Sequence, residues 1–292
     1  MAIPHLVQYQ GSKRNLASKI AEYYPARFNR FIEPFSGTAA MAIYTASNGL
    51  CNSFILNDIN KQVIGLLDKC INNPDALADE YNKIWSVQFE DGENSVDYYY
   101  KMRDRFNELK DTPDAALTLF ILARVSKGAI RYNQSGEMNQ ICDRRRHGTK
   151  PETIRKNAVA ISNLLKNKTQ LFSIDYTEIL RMAEPGDLVY MDPPYQGVSS
   201  GLSSRYIKSL EYDNFVESLE ELNRRNIDYI VSYDGQNDDG KFGKDLPEHL
   251  GLQHLLLHAG RSAQGNLNGK ELTTYESLYV SRNIRRDLLW RR

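Results

Sequence analysis

Apolar positions recur along this chain with two different periods. Residues 15–24 and 61–72 carry apolar side chains three and four apart, the spacing of an amphipathic helix. Short unbroken apolar runs stand between turn signals: FNRFIE at 28–33, SFILN at 53–57, QLFSI at 170–174, DLVYM at 187–191 and DYIVS at 228–232. Runs of that length predict buried strands. Helices are predicted after the first strand (MAIYTA), at 152–166 and at 213–225, and a final strand pair at 252–258 and 275–281. The middle changes character. Residues 75–86, 97–109 and 114–126 all read as helices, the last two with acidic starts that suit the helix dipole. Asn133-Gln134-Ser135-Gly136 is a turn inside 130–141 and predicts a β-hairpin. Strands alternating with helices, interrupted by a helical block, predict an α/β, doubly wound sheet with an inserted domain. Residues 1–72 and 151–292 would form the sheet domain, and 73–150 the insert.

Composition narrows the class. The chain has 292 residues, 41% hydrophobic and 25% charged, an ordinary globular balance. No apolar run approaches the roughly 20 residues that span a bilayer. The N-terminus has no basic start followed by a long apolar core, so no secretory signal is predicted. Cys51, Cys70 and Cys142 are scattered, without a CxxC pair, which fits a reducing compartment. The five histidines show no ligand spacing with acids or cysteines. The formal net charge is zero, but its distribution is polarised. Residues 124–156 hold nine basic side chains against three acidic, 75–114 hold five basic against eleven acidic, and 282–292 add five arginines against one aspartate.

Four predicted strands end in residues with chemistry on them, and ligands of open α/β sheets bind beyond the carboxyl ends of strands. The first runs into Glu33-Pro34-Phe35-Ser36-Gly37, where a glycine lets backbone approach a ligand ahead of a helix N-terminus. The second ends at Asn57-Asp58, an acid placed either for ribose hydroxyls or as a helix N-cap. The third ends at Asp175-Tyr176, with the N-cap as the simpler reading. The fourth ends at Asp192-Pro193-Pro194-Tyr195. Two prolines without amide protons stiffen the chain beside a carboxylate, a carbonyl and an aromatic ring. That set suits a planar amine: two acceptors for an NH2 group and a ring to stack on.

In this order the segments resemble the Dam-type DNA adenine-N6 methyltransferases, over most of the chain. Tyr9-Gln10-Gly11-Ser12-Lys13 looks like that family's segment for the methionine end of S-adenosylmethionine, and 33–37 like its Glu-Pro-Phe-x-Gly cofactor loop. Leu56 to Asn60 matches its ribose-binding segment, with Asp58 as the acid, and Asp175-Tyr176 stands where the family places an acid for the cofactor's adenine. Residues 192–195 match its catalytic DPPY. Arg131-Tyr132-Asn133 with Gly136-Glu137-Met138-Asn139 resembles its DNA-contacting hairpin, within the inserted target-recognition domain. Ser12 and Ala39 replace glycines common in the family, and both are small.

The resemblance implies a Rossmann-like sheet using S-adenosylmethionine to methylate N6 of an adenine flipped out of double-stranded DNA. Tyr9, Lys13, Glu33, Phe35, Gly37, Asp58, Asp175 and Tyr176 would hold the cofactor, and Asp192 with the Pro193 carbonyl would orient the amine beside Pro194 and Tyr195. Lys127, Arg131, Asn133, Gln134 and Asn139 are the candidates for base edges, Arg144, Arg145 and Arg146 for phosphates, with Tyr132 beside them. Lys127-Gly128-Ala129-Ile130-Arg131 departs from the Asn-Gly-Leu-x-Arg of GATC readers, so a target other than GATC alone is expected. Residues 196–210, including Tyr206, and 262–271 are expected to be mobile without DNA. Cytosine-N4 methylation, methylation of RNA or a protein amide, and an inactive fold serving as a DNA-binding module are the alternatives. A monomer in the cytoplasm of a bacterial or phage-infected cell is expected, alone or beside a restriction-endonuclease counterpart.

Overall fold

The computed structural model describes residues 3–109, 112–126, 128, 130–194, 210–237, 240–241, 244–261 and 273–284. Tyr195, Lys127, residues 196–209 of the segment 196–210 expected to be mobile, and all of the segment 262–271 lie outside the described residues.

A single sheet organises the chain. Strands β1 (Phe31–Glu33), β2 (Phe54–Asn57), β3 (Thr169–Phe172), β4 (Leu188–Met191) and β5 (Asp228–Asn237) run parallel. The two-residue β6 (Gly240–Lys241) pairs with the end of β5. The last strands, β7 (Gln253–Arg261) and β8 (Thr273–Val280), are antiparallel to each other, and β8 is antiparallel to β5. The order β3-β2-β1-β4-β5-β8-β7 reverses direction between β1 and β4. A crevice opens at such a reversal, outside the carboxyl ends of the strands.

The short apolar runs are explained by burial on both faces. Phe31, Phe54, Leu56, Leu188, Tyr190 and Ile230 belong to one core cluster, while Ile32, Ile55, Val189, Met191, Tyr229 and Val231 belong to a second on the opposite face. Strands covered on both sides lose the polar alternation of a half-exposed sheet.

The helices are α1 (Ala17–Ala21), α2 (Ala40–Ser47), α3 (Lys61–Asn72), α4 (Pro74–Val87), α5 (Ser95–Glu108), α6 (Ala115–Arg124), α7 (Pro151–Leu165), α8 (Tyr176–Met182) and α9 (Tyr212–Arg224), and residues 282–284 are helical as well. Their starts follow local chemistry. Asn60, Asn94, Asp114 and Asp175 accept backbone amides at the first turns of α3, α5, α6 and α8, and α4 and α7 each begin at a proline. The helical stretch expected at 15–24 is divided into a 3-10 turn, Lys13–Asn15, and the short α1.

Among the described residues, the buried side chains of 73–150 are continuous with the core on one face of the sheet. Leu77, Tyr81, Tyr99, Leu119 and Phe120 join the same buried cluster as Phe31, Ile154 and Ile161. Helix α6 is apolar all round and packs against α3, α4 and α5. The hairpin expected at 130–141 is reduced to the isolated bridges Tyr132–Met138 and Val125–Cys142, with Asn133 closing the turn through its side chain to the amides of Ser135 and Glu137.

Candidate active site

The carboxyl ends of β1, β2 and β4 meet the N-terminal segment at a cleft of about 850 Å³. Tyr9, Lys13, Glu33, Phe35, Gly37, Asp58, Asp175, Tyr176, Asp192, Pro193 and Pro194 all line it. Residues far apart in the sequence are thus gathered at the crevice that the strand order creates.

The cleft wall is built around buried polar groups. Asn57, at the end of β2, donates from Nδ2 to the carbonyls of Pro34 (2.9 Å) and Ile174 (3.1 Å), and its Oδ1 accepts the Ile174 amide (3.0 Å). One buried side chain thereby fixes the loops that follow β1 and β3. Asp58 Oδ2 accepts the Gly37 amide at 3.0 Å and Oδ1 accepts the Asn60 amide at 2.9 Å. The N-cap of α3 is Asn60, so Asp58 is released from that duty. Burial pushes the Asp58 carboxyl up, and the amides of Asn60 and Gly37 work against that shift. Gly37 has φ 49°, and a Cβ there would lie 3.2 Å from the Tyr9 ring, so this turn favours glycine. Ala39, expected from the sequence to stand in a glycine's place, takes the left-handed φ of 57°. The Phe35 and Tyr176 rings stand 5.1 Å apart. Asp175 caps α8, accepting the Thr177 amide (3.1 Å) and hydroxyl (2.8 Å).

At the floor, Lys13 Nζ lies 2.7 and 2.8 Å from the two oxygens of Asp192, 3.2 Å from Glu276 Oε1 and 3.2 Å from the Gly11 carbonyl. Burial opposes the Lys13 charge, and the Asp192 and Glu276 carboxylates more than reverse it, so its pKa stands above that of ordinary lysine. Glu33 is buried behind the floor with its Oε2 on the Ala42 amide (3.2 Å). Burial raises its pKa well above the usual carboxylate range, the Ala42 amide opposes this, and Asp192 and Asp58 add to it.

The candidate DNA residues divide. Arg131 and Tyr132 line the cleft: an Arg131 guanidinium nitrogen donates to Gln10 Oε1 at 2.7 Å, and the Tyr132 hydroxyl to Asn60 Oδ1 at 3.4 Å. Gly128, at φ 59°, brings this segment against the N-terminus, and its carbonyl accepts the Gln10 amide at 2.9 Å. A Cβ at Gly128 would stand 2.2 Å from the Gln8 carbonyl oxygen. Asn133, Gln134, Asn139, Arg144, Arg145 and Arg146 are outside the cleft lining, and all but the half-buried Asn133 are exposed.

The chain matches the model of the D12 class N6 adenine-specific DNA methyltransferases over residues 9–260. It belongs to that family. It is 30% identical over 280 residues to the retron Ec67 DNA adenine methylase of Escherichia coli, covering 94% of this chain and 90% of that protein. A type II methyltransferase of Lactococcus lactis subsp. cremoris is 24% identical, covering 90% and 91%. The DNA adenine methylase of Escherichia coli K12 is 26% identical, again covering 90% and 91%. The protein is therefore an adenine-specific DNA methyltransferase.

For this methyltransferase, two charged residues escape sequence reasoning. Glu276 lies within the strand predicted at 275–281, and nothing in its spacing ties it to Lys13. Arg124, counted above with the basic stretch, is buried, its guanidinium serving the carbonyls of Ser95 (2.9 Å), Asp143 (3.2 Å) and Arg146. Arg155, from the same stretch, pairs with Asp75 at 2.7 Å and with Asp79, so part of the charge polarity is spent inside the fold.

Proposed function

We propose that this methyltransferase draws its methyl group from S-adenosylmethionine bound in the cleft and transfers it to a flipped adenine presented to Asp192. The residues fit that cofactor. Asp58 spends one lone pair of each oxygen on a backbone amide and keeps acceptor capacity for the two hydroxyls of a ribose. Phe35 and Tyr176 offer apolar ring surface for a purine. Gly37 leaves the space a side chain would fill. The bound donor would supply an electrophilic methyl carbon on a sulfonium.

The chain's own residues then do the positioning. The Asp192 carboxylate and the Pro193 carbonyl accept the two N6 protons of the adenine, which turns the nitrogen lone pair along the line of attack. Holding both reactants in one geometry supplies much of the rate, and the negative carboxylate stabilises positive charge arriving on N6. No covalent nucleophile is required, and the three cysteines are all buried. Residues 73–150 would act as the target-recognition region, with Arg131 at the cleft and Asn133, Gln134 and Asn139 beyond it reading bases, and arginines 144–146 gripping phosphates. A cytoplasmic setting, and an endonuclease counterpart like those of type II systems, follow from the same reading.

The observation that carries the proposal is the gathering of the 33–37 loop, Asp58 and Asp192 around one cleft at the strand-order reversal. The test is transfer from methyl-labelled S-adenosylmethionine to duplexes carrying either adenine or cytosine in an otherwise inert context, with base analysis of the product. Label in N6-methyladenine, abolished by Asp192→Ala, is expected. Label in cytosine, or full activity in the variant, would overturn the reading.

A further inference from the structure

Asp192 is not alone at the floor of the cleft. It shares one ammonium, Lys13, with a second carboxylate, Glu276. The three side chains are nearly removed from solvent, with 6%, 20% and 13% of the Lys13, Asp192 and Glu276 side chains exposed. If Asp192 and Lys13 formed a simple pair, the carboxylate meant to accept the adenine amine would be neutralised by a cation at 2.7 Å.

The topology explains how Glu276 comes to be there. Parallel strands bring only their ends to the carboxyl edge. Strand β8 runs the other way, so its first half reaches that edge: Ser277 pairs with Tyr233 and Leu278 with Ser232 near the end of the parallel part of β5. Alternation along β8 puts Glu276 on the same face as Leu278 and Val280, which belong to the core cluster that includes Tyr190 and Leu16. Tyr190 and Asp192 are likewise two residues apart on β4 and its exit, and the Tyr190 hydroxyl is 2.8 Å from Ser232 Oγ. The reversed strand therefore delivers a second carboxylate to Lys13.

We propose that Glu276 is a positioning residue for methyl transfer: by taking up the Lys13 charge, it leaves Asp192 negative toward the adenine amine. This rests on the reading of Asp192 given above. With Glu276 ionised, the triad carries one net negative charge, and without it, none. The reaction needs that charge. The N6 lone pair forms the new N–C bond as the C–S bond breaks and its electron pair returns to sulfur. The positive charge moves from sulfur to N6, and one amine proton then leaves through Asp192 to water. A site of net negative charge lowers the energy of the cation forming on nitrogen.

The test compares Glu276→Gln, Glu276→Asp, Asp192→Ala and the double variant Glu276→Gln/Lys13→Met in the full chain. Glu276→Gln should lower the single-turnover transfer rate about tenfold to a hundredfold, less than the roughly hundredfold to thousandfold lost with a group that touches the reacting atoms. Glu276→Asp should keep most of the rate. The double variant, which restores one net negative charge, should be faster than Glu276→Gln alone. In Glu276→Gln, affinity for S-adenosylhomocysteine, whose thioether sulfur carries no charge, should stay within about twofold while affinity for sinefungin, with an ammonium at the methyl position, falls about tenfold, because only the latter carries charge there. A merely structural Glu276 would move both ligands together and would give no recovery in the double variant. Equal loss of both ligands, or an unchanged rate in Glu276→Gln while Asp192→Ala is inactive, would overturn the role of Glu276. Full activity in Asp192→Ala would instead overturn the reading of Asp192.

Discussion

The cleft wall and the segment from Arg124 to Arg146 are both rich in polar side chains, and they use them in opposite ways. In the wall, Asn57, Glu33 and Lys13 are buried and Asp58 half-buried, and each is held by partners at hydrogen-bond distance. Their geometry is set before any ligand arrives, at the cost of desolvation, which raises the pKa of Glu33 and Asp58. Among the described basic residues of the second segment, only Arg124 is buried, and it props the loop from beneath through the carbonyls of Asp143 and Arg146. Arg144, Arg145 and Arg146 sit exposed on top of that loop. Chemistry on a small molecule rewards fixed groups, whereas a phosphate backbone is met by charge that can adjust.

The contrast can be broken most strongly at Asp192. Asp192→Ala should reduce turnover by about a thousandfold or more, the scale of losing a group that both orients and stabilises the reacting atom. Its DNA affinity should change little, as a gel-shift titration would record. Next in size is Asp58→Ala. It removes a charged acceptor from the cofactor site and orphans the Gly37 and Asn60 amides. Calorimetry with S-adenosylhomocysteine should show affinity about tenfold to a hundredfold weaker, and the fold should lose about 1–3 kcal/mol. Unchanged affinity would remove Asp58 from the site.

Glu33 sharpens the comparison through pH. Its pKa is raised in the fold, so the folded state holds the proton more tightly than the unfolded chain does. Stability from this group is present below the ordinary carboxylate pKa and is lost as pH rises through the folded value. Glu33→Gln removes that loss. The variant should therefore gain in melting temperature over the parent as pH is raised from about 5 to about 8. A gap that stays constant or closes would show that Glu33 is not strained by burial. The smallest effect is expected on the surface. Arg145→Ala should weaken DNA binding about equally on all sequences and lower the slope of log affinity against log salt by about one.

Much of this division is legible in the sequence, for a physical reason. The wall is assembled at strand ends, and buried strands with turn residues after them leave a local signature: Glu33-Pro34-Phe35-Ser36-Gly37, Asn57-Asp58 and Asp192-Pro193-Pro194 each stand directly behind an apolar run. The boundaries of β1, β2 and β4 fall within the predicted runs. Where two roles compete at one acid, sequence could not choose. Asp175 proves to cap α8, and Asp58 leaves the capping of α3 to Asn60. Helix α8 itself, only seven residues long, is too short to show a period. Long-range pairings left no trace. Nothing near Glu276 marks it as a partner of Lys13, and nothing near Arg124 distinguishes a buried guanidinium from three exposed ones twenty residues on. The merging of α4, α5 and α6 with the sheet's core was equally hidden, since periodicity reports which face is apolar and not what covers it.

The separation of chemistry from grip is tested most directly by single-turnover methyl transfer at saturating DNA and cofactor, run side by side on Asp192→Ala and on the triple Arg144→Ala/Arg145→Ala/Arg146→Ala variant. The expected result is transfer at near the parent rate in the arginine variant, once DNA is raised to saturation, and none measurable for Asp192→Ala under the same conditions. Comparable residual rates in the two variants would contradict it, because the basic loop would then be part of the chemical step.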